Sequence, residues 1–384
     1  MINFFKKLDW LLLTAIVLLC IYGLIMIYSA GMLLGYELHE DYAYFFNRQK
    51  TWLYLGIPVF IAAIITPYKL YDRLTPLLVG GTLLALILVL VPFIGNEVNG
   101  ARSWFQLGSI SVQPSEIAKL VMIIYFARVY ARKQPYIHQF GKGVAPPLAV
   151  VVLVFFLIIL QPDVGTGSMI IIACGAILIC SGARLKHILL LGSVAALAIF
   201  ILAKTASYRW ARITSFIDPF GDASDTGFQL VESFIAIGNG GLLGRGLAQG
   251  VHKLGYLPEA HTDFILAVIS EELGIFGILT LFLLYGIVLV RGVRVGVSLK
   301  DPFGKLLAFG ITFQISSQVF FNAGAVSGLL PITGITLPFI SYGGSSLLIT
   351  IFAAGILVHL SIHATIAREA REETDSTWGQ KITS

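Results

Sequence analysis

The sequence predicts an all-α polytopic membrane protein: ten transmembrane helices, both termini cytoplasmic, and a large outer loop between helices seven and eight. Three observations predict it. Of 384 residues, 57% are hydrophobic and only 12% charged, with a mean hydropathy of +0.86, a makeup outside that of ordinary soluble domains. Apolar runs long enough to cross a bilayer, roughly 17–25 residues each, recur along the chain. The basic residues collect in alternate connections between those runs, as the positive-inside rule requires.

The first run covers roughly residues 10–30, follows a short basic start and lacks a small-residue cleavage signature, so it reads as a retained span. Further runs fall at roughly 51–67, 74–93, 114–131, 147–161, 166–183, 186–204, 263–290, 305–329 and 343–362. With the N-terminus inside, the cytoplasmic segments hold Lys6, Lys7, Lys69, Arg73, Arg128, Arg132, Lys133, Lys142, Arg184, Lys186, Arg291, Arg294, Lys300, Lys305, Arg368, Arg371 and Lys381. These are most of the 26 basic residues. Basic loops facing anionic lipid thus explain the net charge of +5, and no nucleic-acid partner is implied. Cys20, Cys174 and Cys180 lie in apolar runs without metal-ligand spacing, so neither a disulfide nor a zinc site is expected. Residues 1–362 read as one transmembrane domain; the mixed-charge tail 363–384 reads as disordered.

Three outer connections stand apart. Residues 95–113 contain Asn99-Gly-Ala-Arg-Ser-Trp-Phe-Gln106, residues 205–262 form a very long connection, and residues 328–344 are rich in glycine and proline. Connections longer than about 12–15 residues are usually functional or disordered. The second is too apolar for disorder, with Phe216, Phe220, Phe228, Leu230, Phe234, Leu242 and Leu243, and is expected to fold back as short helices.

Ionisable groups in such a chain mark candidate sites. Gln113-Pro-Ser-Glu-Ile-Ala-Lys119 opens the fourth span, and its Glu116 and Lys119 fall three apart on one helical face, close enough to pair. Both should face protein, as a structural ion pair or as part of a site. In Gln161-Pro-Asp-Val-Gly-Thr166, Asp163 is either a turn former or helix cap or a site residue. Glycines in Ile237-Gly-Asn-Gly-Gly-Leu-Leu-Gly-Arg-Gly246 follow no strand and precede no Gly-Lys-Ser/Thr, so they read as turns, not a phosphate loop. The densest constellation is Leu257-Pro-Glu-Ala-His-Thr-Asp-Phe-Ile-Leu-Ala-Val-Ile-Ser-Glu-Glu-Leu-Gly274. Asp263 stands there at the start of an apolar helix, below His261; it can cap the helix or act as a base whose pKa burial raises and the helix N-terminus lowers. On a continuous helix Ser270 would share its face.

Taken together, Asn99-Gly-Ala-Arg-Ser-Trp-Phe, Gln113-Pro-Ser-Glu-Ile-Ala-Lys, Gln161-Pro-Asp-Val-Gly-Thr, Gly227-Phe-Gln, Leu257-Pro-Glu-Ala-His-Thr-Asp-Phe, Ser270-Glu-Glu-Leu-Gly and Leu337-Pro-Phe-Ile-Ser-Tyr-Gly-Gly-Ser-Ser resemble the signature of the SEDS (shape, elongation, division and sporulation) family. The resemblance runs from about residue 9 to 362. Within the family the division branch is the most similar, on Leu257–Asp263 and Ala323–Pro338.

The resemblance implies a peptidoglycan glycosyltransferase that polymerises lipid II, the undecaprenyl-diphosphate-linked disaccharide-pentapeptide, on the outer face of the bacterial cytoplasmic membrane. It maps the family's proposed catalytic aspartate onto Asp263. An inverting displacement at a sugar diphosphate needs a base for the acceptor hydroxyl and cationic help for the leaving group. Arg102, Lys119, Arg209, Arg212 and Arg245 are candidates for that help, or else interfacial and snorkelling cations. Glu116, Asp163, His261 and Ser270 are candidates for support of the site. A divalent cation, Mg or Mn, is an option without a protein ligand cluster to declare it. By resemblance, the expected partners are a class B penicillin-binding protein and other division-complex proteins at the septum. Two other functions stay open at this point, a lipid II flippase and a non-catalytic scaffold. The absence of an inverted repeat and the clustering of polar residues on one side favour the enzyme.

Overall fold

The computed structural model describes residues 7–98, 100–108, 110–205, 207–221 and 227–383, with the side chains of 98, 107, 207–209 and 370–383 outside that description. Its elements are α1 (Trp10–Ala30), α2 (Met32–His39), α3 (Tyr44–Ile65), α4 (Tyr68–Leu88), β1 (Asn96–Val98), β2 (Ala101–Leu107), β3 (Ile110–Val112), α5 (Pro114–Arg132), α6 (Ala145–Ile159), α7 (Val164–Cys180), α8 (Leu185–Lys204), α9 (Ser207–Ile217), α10 (Phe228–Gly240), α11 (Ile265–Ser298), α12 (Pro302–Val326) and α13 (Gly344–Thr383). A π-turn, Phe140–Val144, leads into α6.

Among the described residues, seven helices are long and apolar enough to cross a membrane: α1, α4, α6 with its π-turn, α8, α11, α12 and α13. Three elements within the expected spans lie outside that set for identifiable reasons. α3 carries Arg48 and Lys50 in its first two turns, α5 carries Glu116, Lys119, Arg128 and Arg132, and α7 has only 17 residues. On α5, Glu116 pairs with Lys119, and Arg128 and Arg132 pair with Asp72 of α4, which permits a helix less apolar than one facing lipid.

α12 and α13 form the centre, α12 packing on α11, α7 and α5, and α13 on α3 and α11. Among the described residues both are buried along most of their length, whereas the α8 side chains Leu185, Leu189, Leu190, Val194, Leu197, Phe200 and Ile201 are exposed. An apolar face left open to this extent belongs against lipid. Local signals set the helix ends. Asp9 accepts the Leu12 amide, Asp301 the Gly304 amide and Asp163 the Thr166 amide, each satisfying a backbone donor that the helix cannot. Pro114 and Pro302 occupy first turns, where no amide hydrogen is needed.

The structure departs from the sequence expectation in the connections. Residues 95–113 form an antiparallel three-stranded sheet in the order β1-β2-β3, with Phe105 opposite Val112 and Gln106 opposite Ser111. The turn signals were present: Asn99-Gly100 and Gly108-Ser109 each separate two strands. Residues 205–262 do carry short helices, α9 and α10, followed by turns up to Phe264.

Helix α11 is broken at Gly274, whose φ of 60° and ψ of −154° are open to glycine alone. A side chain there would meet the backbone of Leu242 and Gly244, so the break admits the turn after α10. Just before the break, Glu271 and Glu272 are fully buried. Glu272 accepts from Lys253 Nζ at 2.6 Å and from Ser29 of α1, and Glu271 accepts from the Val251 and His252 amides at 2.9 and 3.2 Å. Two carboxylates that look out of place in an apolar helix thus anchor the connecting segment.

Candidate active site

A polar cavity of about 700 Å³ opens where α3, α5, α7, α9, α10, α12 and α13 converge with the sheet, the turn before α11 and the 331–343 loop. Its carboxylates lie on two walls.

The first wall joins the starts of α5 and α7. Asp163 caps α7 through the Thr166 amide at 2.9 Å and also accepts from Gln113 Nε2 at 3.1 Å and Ser115 Oγ at 3.3 Å. Burial raises its pKa, opposed by the hydrogen bonds from Thr166; Glu116 adds to the rise and Lys119 counters it. Lys119 Nζ lies 2.8 Å from Glu116 Oε2, both side chains being under a tenth exposed. Among the described residues that oxygen has no aligned hydrogen bond, so the pair is a charge contact. Capping and site membership are therefore not exclusive for Asp163: one oxygen holds the helix and the other faces its neighbours on α5.

The second wall is built on Asp263. It precedes α11, whose N-cap is Phe264 without a side-chain capping bond, so among the described residues neither Asp263 nor Thr262 fills the capping role. Thr262 Oγ1 turns back to Glu259 instead. The backbone at this point is held from two sides. Asn322 of α12 donates to the Asp263 carbonyl at 2.7 Å, and Ser341 donates to the Thr262 carbonyl at 2.6 Å. Gly334, at φ +68°, lies against the carboxylate, 3.4 Å separating the position of an added Cβ from Asp263 Oδ2. Burial lifts the Asp263 pKa from 3.8 to about 7, with Glu259 adding to the rise, Arg212 opposing it and Asp163 adding a little. A carboxyl group with that value is half-ionised near neutrality and suits general-base work.

The other residues expected at the site divide by position. Arg212 lines the cavity, as do Glu116, Lys119, Asp163 and Asp263. His261 stands behind it, its ring against Phe45 and Tyr342 with centroids 4.4 and 5.6 Å away. Its carbonyl accepts the Tyr342 amide, and burial lowers its pKa despite Glu259, so the neutral ring acts as packing. Ser270 is outside the lining, because Asp263 sits in a turn and not on the helix that would have put both on one face; the Ser270 carbonyl abuts Gly240 of α10. Arg102 pairs with Glu97 at 3.3 Å across the sheet, and the Arg245 amide donates to the Glu271 carbonyl behind the cavity. The Arg209 side chain, like Asn99, lies outside the described residues.

Sequence reasoning did not name Arg48, Trp104, Glu259, Gln318 or residues 342–346 as site residues, although Trp104, Glu259 and 342–346 lie within the family motifs; all line the cavity, and Asn322, which holds it, was missed. Arg48 was legible as an outer-side cation; Asn322 follows Gln314 and Gln318 at four-residue spacing in the same helix, and carried the weaker signal of side-chain amides along one face of a span.

Comparison with known proteins accounts for this arrangement over nearly the full chain. Bacillus subtilis (strain 168) has a relative named probable peptidoglycan glycosyltransferase FtsW, 41% identical, with 96% of this chain and 94% of that protein covered. The same organism's stage V sporulation protein E is 40% identical over 92% of this chain and 96% of that one. Among solved structures, a chain of a peptidoglycan synthase complex described as coordinating polymerization and crosslinking superposes with a TM-score of 0.76 at 27% identity, covering 93% of this chain and 98% of that chain. The Thermus thermophilus rod shape determining protein RodA does so with a TM-score of 0.68 at 28% identity, covering 92% and 96%. A profile of the FtsW/RodA/SpoVE cell cycle proteins matches residues 9–366, and the chain belongs to that family.

Proposed function

We propose that this chain, a peptidoglycan glycosyltransferase, polymerises lipid II in the cavity with Asp263 as general base. The observation that carries the proposal is a carboxyl group beside a roomy polar cavity with a pKa near 7. The acceptor hydroxyl gives its proton to Asp263 as its oxygen bonds to the anomeric carbon of the donor sugar. On the opposite face of that carbon the bond to the diphosphate oxygen breaks, and the diphosphate leaves as an anion. Arg212, Arg48 and Lys119 line the same cavity and offer positive charge to the leaving group. Lys119 is already matched by Glu116, so its field reaches the substrate reduced.

The finer topology is part of the proposal. Ten spans, counting α3, α5 and α7, with cytoplasmic termini, place the cavity at the outer surface, where basic connections are fewest. Septal location and a class B penicillin-binding protein as partner complete the reading; the superposition on a chain of a peptidoglycan synthase complex supports it. Among the described residues no three metal-ligating side chains come together. A Mg or Mn ion would therefore be held mainly by substrate diphosphate oxygens with one or two carboxylates, as Mg commonly is.

Purified protein in liposomes with labelled lipid II tests these points together. Glycan polymer is expected, with kcat/KM falling about tenfold per pH unit below pH 7 as Asp263 takes up its proton. Lipid II translocation without polymer would establish a flippase, and binding without either a scaffold. EDTA should abolish polymer formation if an ion assists the leaving group; full activity in EDTA discards the ion.

A further inference from the structure

We infer that Asn322 is a positioning residue for the reaction, its side-chain amide fixing the Asp263 turn to the 331–343 loop so that the carboxylate faces the cavity. The inference rests on the reading of Asp263 as the base. Asn322 is 2% exposed near the end of α12, and its Nδ2 makes two hydrogen bonds, to the Asp263 carbonyl at 2.7 Å and to the Ile335 carbonyl at 2.8 Å. One NH₂ group thus joins two segments that are far apart in sequence and that both line the cavity. The second segment includes Gly334, which lies against the carboxylate itself.

The donor must be an amide for a chemical reason. Two carbonyl oxygens facing one point repel each other and need two N–H bonds from a neutral group that fits between them. The substitution Asn322→Asp would turn acceptors toward acceptors at nearly unchanged volume. Among the described residues, Asn322 Oδ1 is itself buried without a partner. A polar side chain kept in that condition is retained for what its other end holds. Ser341 supports the same turn one residue earlier, through the Thr262 carbonyl, while accepting the Leu337 amide. Glu259, Arg212 and Asp163 are the charges that act on the Asp263 carboxyl group, so a shift of its backbone changes its distance to all three.

The test compares Asn322→Asp and Asn322→Ala with Asp263→Asn in reconstituted polymerisation, normalised to folded protein. For the Asn322 variants, kcat should fall by about 10–100-fold, the usual cost of a misplaced catalytic group, with KM for lipid II changed by less than about threefold. The acid limb of the pH profile should move below 7 as the carboxylate gains access to water. A variant with lowered thermal stability but wild-type kcat and an unmoved acid limb would overturn the inference and leave Asn322 a structural residue, as would failure of both variants to fold. An active Asp263→Asn protein would instead remove the base on which the inference rests, which separates the two failures.

Discussion

Asp263→Asn should give a folded protein that still binds lipid II and polymerises it about 10²–10⁴ times more slowly, the usual contribution of a positioned general base. Asparagine keeps the size of the side chain, and the bonds that hold this turn end on backbone carbonyls, which the substitution leaves in place. Stability provides an independent readout. The folded-state pKa of Asp263 is raised from 3.8 to about 7, chiefly by burial. Its contribution to stability is therefore fully present below about pH 4 and is lost as pH rises through 7, where the folded site must hold an ionised carboxylate. Asparagine removes that penalty. At pH 8 the variant should unfold no earlier than wild type, and the two should differ less at pH 5. Loss of activity together with a lower unfolding temperature at pH 8 would mean that Asp263 holds the structure and is not the base. Wild-type polymerisation would dismiss the catalytic role outright.

Glu116→Ala is expected to damage the protein more than Glu116→Ala combined with Lys119→Ala. Both side chains are almost fully buried and 2.8 Å apart, so removing the acid strands an ammonium with no solvent to receive it. Breaking one member of such a pair costs about 3–5 kcal/mol, whereas removing both can be close to neutral. The measurement is the unfolding temperature in detergent or nanodiscs, alongside polymerisation per folded molecule. The double variant should recover most of the stability but not the activity, since Lys119 lines the cavity and moderates the charge of Asp163. Equal stability of wild type, single and double variants would show that the pair is solvated and its orientation on α5 is other than described.

Much of this was legible in the sequence because the bilayer restricts the options. A chain with 57% hydrophobic residues in runs of span length has to form helices, since lipid offers no partner for backbone groups. Charges inside such runs have to face protein, and Glu116 and Lys119 do. Asp163 and Asp263 were recognisable as site candidates for the same reason, as polar groups at the starts of apolar helices, and Arg212 as an outer-side cation in the long connection. Glu271 and Glu272 were visible as anomalies, but their partners, Ser29, His252 and Lys253, come from α1 and from the turns after α10. No spacing in the sequence relates those segments.

Ser270 marks the limit most clearly. Its separation from Asp263 implied a shared helical face, and the inference failed on where the helix begins: α11 starts at Ile265, leaving Asp263 in a turn whose direction comes from Asn322 and Ser341. Arg102 and Arg245 have the charge expected of diphosphate contacts and lie elsewhere, beside Glu97 and behind Glu271. Composition and periodicity determined by themselves that the chain is a helical membrane protein and which ionisable residues are too costly to be idle there, because transfer of each residue to lipid is a local property. Which of those residues share one cavity was decided only by the tertiary structure, because it depends on contacts between segments as far apart in sequence as Gln113, Asp163, Asp263 and Asn322, and on turns whose course is set by the groups they meet.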